Sequence, residues 1–182
     1  ASVDTRAMVK RWSDEIDERY HTPVGQATGP LVKHDGDDTP LGRWAADVVR
    51  EAAGADVGLY NRGGLRANLA AGPLTLGDLY EIFPFGNEVV VFDVTGDQLV
   101  LMGLRGLQML TEKDYLPLEF GGLRITYHYR MGAPELLELL VGGEPVDPRR
   151  TYSVATNSFV AQQWQHNLGF EPSDVKGTGQ TV

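Results

Sequence analysis

Residues 58–87 gather the side chains best suited to binding chemistry. Gly63-Gly64 lets the backbone turn sharply or approach a ligand closely. Arg66 follows two residues later, and its guanidinium is a rigid donor fork that suits phosphate or carboxylate. Pro84-Phe85-Gly86-Asn87 puts an aromatic ring and an amide on a second turn. An arginine, an aromatic face and the amides of Asn61 and Asn87 make a kit for a nucleotide: anion, stacked base, hydrogen-bonded edge. The same residues also fit two ordinary turns carrying a surface arginine and a core phenylalanine.

Other chemistries lack their residues. A two-metal phosphoesterase needs several His and Asp ligands converging on ions about 4 Å apart. The histidines here are His21, His34, His128 and His166, widely separated and in no Asp-x-His, Gly-Asn-His or His-x-His arrangement. Asp35, Asp37 and Asp38 alternate like a calcium loop, but no Glu stands at the twelfth position, so they read as a solvated acidic loop. There is no Gly-x-Ser-x-Gly elbow, no phosphate-cradling Gly-Lys-Ser loop and no cysteine. We therefore expect neither catalytic residues nor a metal site in this chain.

The elements that must position the kit follow from periodicity. Met8, Val9, Trp12, Ile16 and Tyr20 recur at helical spacing. A polar stretch, His21 to Asp38, precedes Thr39-Pro40, an N-cap with proline at the first helical position. Leu41, Trp44, Ala45, Val48, Val49 and Ala52 give that helix a buried stripe, ending near Gly54. Strands are expected over 56–60, 88–95, 123–129, 136–141, 144–146 and 151–157, with a capping box at Thr75–Asp78 and a helix over 96–110. Interleaved helices and strands with hairpin-like neighbours predict an α/β (α+β) layered sandwich, in two or three layers, on a mixed β-sheet.

Composition bounds the partners. The 182 residues are 42% hydrophobic, enough for one domain (1–182) with a core. A net charge of −9 argues against a nucleic acid polymer or anionic lipid as main partner. No apolar stretch approaches the roughly 18 residues of a membrane span. The start at Ala-Ser-Val, without Met, leads us to expect that a signal peptide, a tag or an upstream domain has been removed.

An ordered set of motifs then carries a resemblance. Asn61-Arg62-Gly63-Gly64-Leu65-Arg66, Gly72-Pro73-Leu74-Thr75, Asp78-Leu79-Tyr80, Pro84-Phe85-Gly86-Asn87 and Thr95-Gly96 are similar, in order and spacing, to the pattern of the 5′-nucleotidase C-terminal domain. Leu41-Gly42 with Ala46-Asp47, residues 143–148, Thr151-Tyr152 and residues 155–159 extend the likeness over roughly 29–160. The family includes UDP-sugar hydrolases and 2′,3′-cyclic phosphodiesterases. Its members are two-domain, usually exported hydrolases of nucleotides and related phosphoesters.

The resemblance implies that this chain is the substrate-recognition half of such a hydrolase. The catalytic domain, with two divalent metal ions, would be an absent N-terminal region or a separate metallophosphatase chain. By position, Phe85 and Phe159 resemble the rings that sandwich the base. Arg66 resembles the arginine on the phosphate or ribose side, and Asn61 and Asn87 resemble polar contacts to the nucleoside. A periplasmic or extracellular location, and inactivity of this chain alone, are implied in the same way. The alternatives are a free-standing nucleoside-binding module and a degenerate, non-catalytic interaction domain.

Two departures bear on the ligand. Where the family usually has arginines, this chain has His34-Asp35-Gly36-Asp37-Asp38. After Phe159 the family's Gly-Gly-Asp-Gly-like loop is replaced by residues 160–166, with Gln165 at the Asp position and Trp164 beside it. A nucleoside is therefore expected to bind about as well as its monophosphate. The ending, Thr178 to Val182, resembles the lead-in to the family's final helix, which is expected to be truncated.

Overall fold

The computed structural model describes residues 3–33, 38–113 and 116–182. Thr39 accepts a hydrogen bond from the Gly42 N–H, Pro40 opens the helix, and Gly54 closes it in the left-handed region at φ 64°. These signals delimit α2, Pro40–Ala53, as the sequence predicts. It follows α1, Val3–Tyr20, and β1, Pro23–Ala27. After α2 come β2 (Val57–Asn61), a single 3-10 turn (Arg62–Gly64), β3 (Gly72–Thr75) and α3 (Leu76–Ile82). The Thr75–Asp78 capping box forms in full at the start of α3. Then follow β4 (Glu88–Thr95), α4 (Gly96–Lys113), β5 (Leu118–Gly121), β6 (Leu123–Arg130), β7 (Ala133–Val141), β8 (Glu144–Pro145) and β9 (Thr151–Asn157). Short helices α5 (Ser158–Gln162) and α6 (Trp164–Asn167) lead to β10 (Lys176–Thr181).

The central sheet has five strands in the order β10-β4-β9-β2-β5. It is mixed: β2 runs parallel to β9, and the other pairings are antiparallel. Strand period sorts its side chains onto two faces. Val57, Leu59, Phe92, Val94, Tyr152 and Val154 meet Leu99 and Met102 of α4 and Leu139 and Val141 of β7. Tyr60, Val89 and Ala155 meet Leu41, Ala45, Ala46 and Val49 of α2 on the opposite face. The α/β expectation thus resolves into three layers: α2, the sheet, and α4 with the β6–β8 sheet.

Several elements depart from expectation. The polar stretch after α1 contains β1, which pairs antiparallel with β3. The buried face of α2 includes Gly42 and Ala46, while Val48 and Ala52 are exposed. Small side chains let α2 approach the strands most closely, which rotates it away from Val48. The apolar stripe of α1 is exposed, because the helix is anchored at its end, where Tyr20 stacks on Tyr80 at 5.3 Å. Residues 176–181, for which no strand is expected, form the edge strand β10 beside β4.

Candidate functional site

Sheet topology brings the segments of the kit to one end. In the parallel β2/β9 pair, Val57 and Gly58 face Val154 and Ala155, so both strands finish together, at Asn61 and Asn157. In the antiparallel β4/β9 pair, Val89 faces Asn157. Residues 85–87, just before β4, and Phe159, just after β9, therefore emerge at the same sheet end as Asn61. The 93 residues of sequence that precede Phe159 from Arg66 onward return there because β9 lies between β4 and β2.

A chain of amides ties this end together. Asn157 is fully buried; its Nδ2 donates to Asn61 Oδ1 at 2.8 Å, and its Oδ1 accepts the Val160 N–H at 3.0 Å, capping α5. The carbonyl oxygen of Asn61 is thus used inside the fold, and its NH2 group is what it can offer a ligand. Gly64 makes room for this pair: a Cβ there would lie 3.1 Å from the Asn61 amide and 3.0 Å from the Tyr60 ring. Burial pushes the Tyr60 phenol up to about 12. Phe159 is the second residue of α5, 47% exposed and without a ring partner among the described residues.

Arg66 lies across the second turn. Its guanidinium carbon sits 5.9 Å from the centre of the Phe85 ring, and its Nη1 donates to Gly63 O at 3.4 Å. Phe85 is 57% exposed, so it is not a core phenylalanine. Gly86 holds φ 55°, and the Asn87 carbonyl accepts the Val182 N–H at 2.9 Å, pinning this turn to the end of β10. Structurally, then, Arg66 and Phe85 meet, and Asn61, Asn87 and Phe159 share their end of the sheet.

Motif reading missed one pair. Glu119 on β5 accepts from Arg62 Nε at 2.9 Å, with Arg62 Nη2 at 2.8 Å from the same oxygen. Thr39 Oγ1 donates to Glu119 at 2.7 Å. Gly42 is required here, since a Cβ would collide with the Glu119 side chain. A single carboxylate within the apolar run Leu116-Pro117-Leu118-Glu119-Phe120 was the available signal. The consequence for binding is that Arg62 is committed inside the fold, leaving Arg66 as the motif's outward guanidinium.

Residues 34–37 of the acidic loop lie outside the described residues; Asp38 pairs with Arg43. Trp164 opens α6 and packs against the core, and Gln165 beside it is exposed. A cleft of about 510 Å³ lies elsewhere, between Arg43, Glu119, Phe120, Arg124 and Tyr127, and includes none of the five predicted residues. Among the described residues no group of three or more His, Asp or Glu could hold a metal ion, so no step through metals is derived for this chain. None of its described helices is long and apolar enough to cross a membrane.

Comparison with known proteins bears on the family and the fold. Residues 23–169 match the model of the family described as 5′-nucleotidase, C-terminal domain. The chain is 32% identical over 162 residues to Endonuclease YhcR of Bacillus subtilis, covering 87% of this chain and 13% of that protein. It is 30% identical over 145 residues to Protein UshA of Escherichia coli, covering 76% of this chain and 25% of that protein. It thus spans a quarter or less of the length of these relatives. In fold it resembles the 5′-nucleotidase precursor from Thermus thermophilus, with a TM-score of 0.77 at 24% identity over 97% of this chain and 38% of that one. With most of its length matched by one family model and its sheet closing on that family's motif segments, the chain belongs to the 5′-nucleotidase C-terminal domain family.

Proposed function

We propose that this chain is the substrate-recognition domain of a 5′-nucleotidase-type phosphoester hydrolase. It binds a nucleoside or nucleotide at the sheet end formed by β2, β4 and β9. Phe85 and Phe159 stack on the base, Asn61 and Asn87 offer amide contacts, and Arg66 faces the ribose or phosphate. A metallophosphatase domain or chain carrying two divalent metal ions performs the hydrolysis, and the protein works in the periplasm or outside the cell.

The observation that supports this most is the convergence of exposed apolar rings with polar side chains. Phe85 and Phe159, remote in sequence, are both exposed at one sheet end, with Arg66 against the first. Exposed phenylalanines lose hydrophobic stabilisation, and a stacking ligand restores it. Calorimetric titration of the 182-residue chain with adenosine tests the reading. Saturable binding that disappears in Phe159→Ala is expected; no binding by the parent chain counts against it.

A further inference from the structure

The Asn61–Arg66 turn is held from beneath by an ion pair that touches no proposed ligand position. Glu119 is 2% exposed and the Arg62 side chain 10%. The carboxylate accepts from Arg62 Nε, from Thr39 Oγ1 and, at 3.3 Å, from the Thr39 N–H. Taking both charges out of water is costly, and apolar residues filling the same space often hold a fold as well or better. Stability alone is therefore a weak reason for this pair, and geometry is a stronger one.

The geometry is specific. The Arg62 N–H donates to Pro117 O at 2.9 Å, and the Leu65 N–H donates to Arg62 O at 3.1 Å. The residue with the clamped side chain is thus also the pivot of the turn. On one side of it Asn61 bonds Asn157, the cap of the helix that carries Phe159. On the other side the Arg66 N–H donates to Ile82 O at 3.0 Å, and its guanidinium reaches Phe85. Both halves of the site are referenced to the point where Arg62 is fixed. Glu119 in turn is fixed by Thr39, the cap of α2.

We infer that Arg62 and Glu119 are positioning residues for nucleoside binding. They set the turn that presents Asn61 and Arg66, and they make no contact with the ligand. The inference rests on the nucleoside reading of this site.

The double variant Arg62→Leu/Glu119→Leu tests it, because each single variant leaves a buried charge unpaired and is expected to fold poorly. The double variant is expected to melt close to the parent. Its adenosine affinity should nevertheless fall by about tenfold or more, since loosely supported sites lose binding. Amide hydrogen exchange at Leu65 and Arg66 should rise by about tenfold, while amides within α4 stay unchanged. Parental affinity together with parental exchange in a folded double variant overturns the positioning role. If the parent chain binds no adenosine, the nucleoside reading fails and the exchange result alone decides for or against the strut. If the double variant does not fold, Arg62→Lys, which keeps both charges but loses the two-point guanidinium contact, is measured instead. Faster exchange at Leu65 and Arg66 supports the role, and unchanged exchange overturns it.

Discussion

The Arg66 guanidinium covers the Phe85 ring at 5.9 Å, so one ring face is shared between a cation and whatever would stack there. An exposed cation–π contact contributes about 0.5–1 kcal/mol, whereas a base on an aromatic ring contributes about 1–3 kcal/mol. A base therefore displaces the guanidinium from that face, or takes the other face and leaves it in place. Phe85→Ala should weaken adenosine binding about five- to 150-fold, and Arg66→Ala by less than about fivefold. Titration of both variants checks the order; a larger loss in Arg66→Ala would show that Phe85 is not the stacking surface.

Asn157 supports a second prediction. Its amide bonds Asn61 on one side and caps α5 on the other while fully buried. Asn157→Ala removes both bonds and leaves Asn61 Oδ1 without its partner. A loss of about 1–3 kcal/mol in unfolding free energy is expected from the cap and the unsatisfied group. Urea denaturation measures it. Adenosine affinity should fall too, because Asn61 and Phe159 lose their common anchor.

Much of this arrangement can be read from the sequence, for local reasons. Thr39-Pro40, Gly54 and the Thr75–Asp78 box carry their own hydrogen bonds, and all appear where chemistry puts them. The strands over 88–95, rich in valine, and over 151–157, rich in β-formers, match residue for residue. β1, β3 and β10 are short and interrupted by Gly or Pro; they exist because a partner edge is nearby, which no local pattern reports. Within the site, Asn61 and Arg66 stand in a recognisable motif. Glu119 lies 57 residues from Arg62, and only the β2/β5 pairing reveals them as partners.

Tyr60 gives the fold a defined alkaline limit. Burial raises its phenol from 10.0 to about 12. The unfolded chain therefore ionises first as pH rises. The contribution is fully present below pH 10 and is lost as pH climbs through about 12. A shift of this size corresponds to about 2–3 kcal/mol. Denaturation at several alkaline pH values should show Tyr60→Phe losing less stability than the parent over that window. Equal losses would mean that Tyr60 ionises as freely folded as unfolded.

On the proposed division of labour, the purified 182-residue chain should hydrolyse no phosphate ester, with or without added divalent metal. Its described carboxylates and imidazoles form no cluster able to hold ions, and two-metal hydrolysis needs ions about 4 Å apart with open positions. AMP and a chromogenic phosphomonoester are suitable substrates. Turnover that persists through successive purification steps, and that is abolished by substitution in this chain, would contradict the proposal.

The last prediction concerns what the ligand's phosphate contributes. Of the two arginines in the motif, Arg62 is bound to Glu119, so Arg66 remains for an anion. A charge-assisted bond from Arg66 is worth about 1.5–3 kcal/mol. The chain as a whole carries −9, and residues 34–38 hold three carboxylates where the family usually has arginines. Near a surface, like charges about 4 Å apart cost up to about 4 kcal/mol at an effective dielectric near 20. Asp38 is offset by Arg43, which lowers the repulsion without adding a donor. The two effects are of similar size, so adenosine and AMP should bind within about tenfold of each other. Salt separates the remaining possibilities: a phosphate held mainly by Coulomb attraction weakens as ionic strength rises, and stacking does not. Parallel titrations of adenosine and AMP at low and high salt decide it. AMP binding more than about tenfold tighter at low salt would show that the acidic run does not face the phosphate.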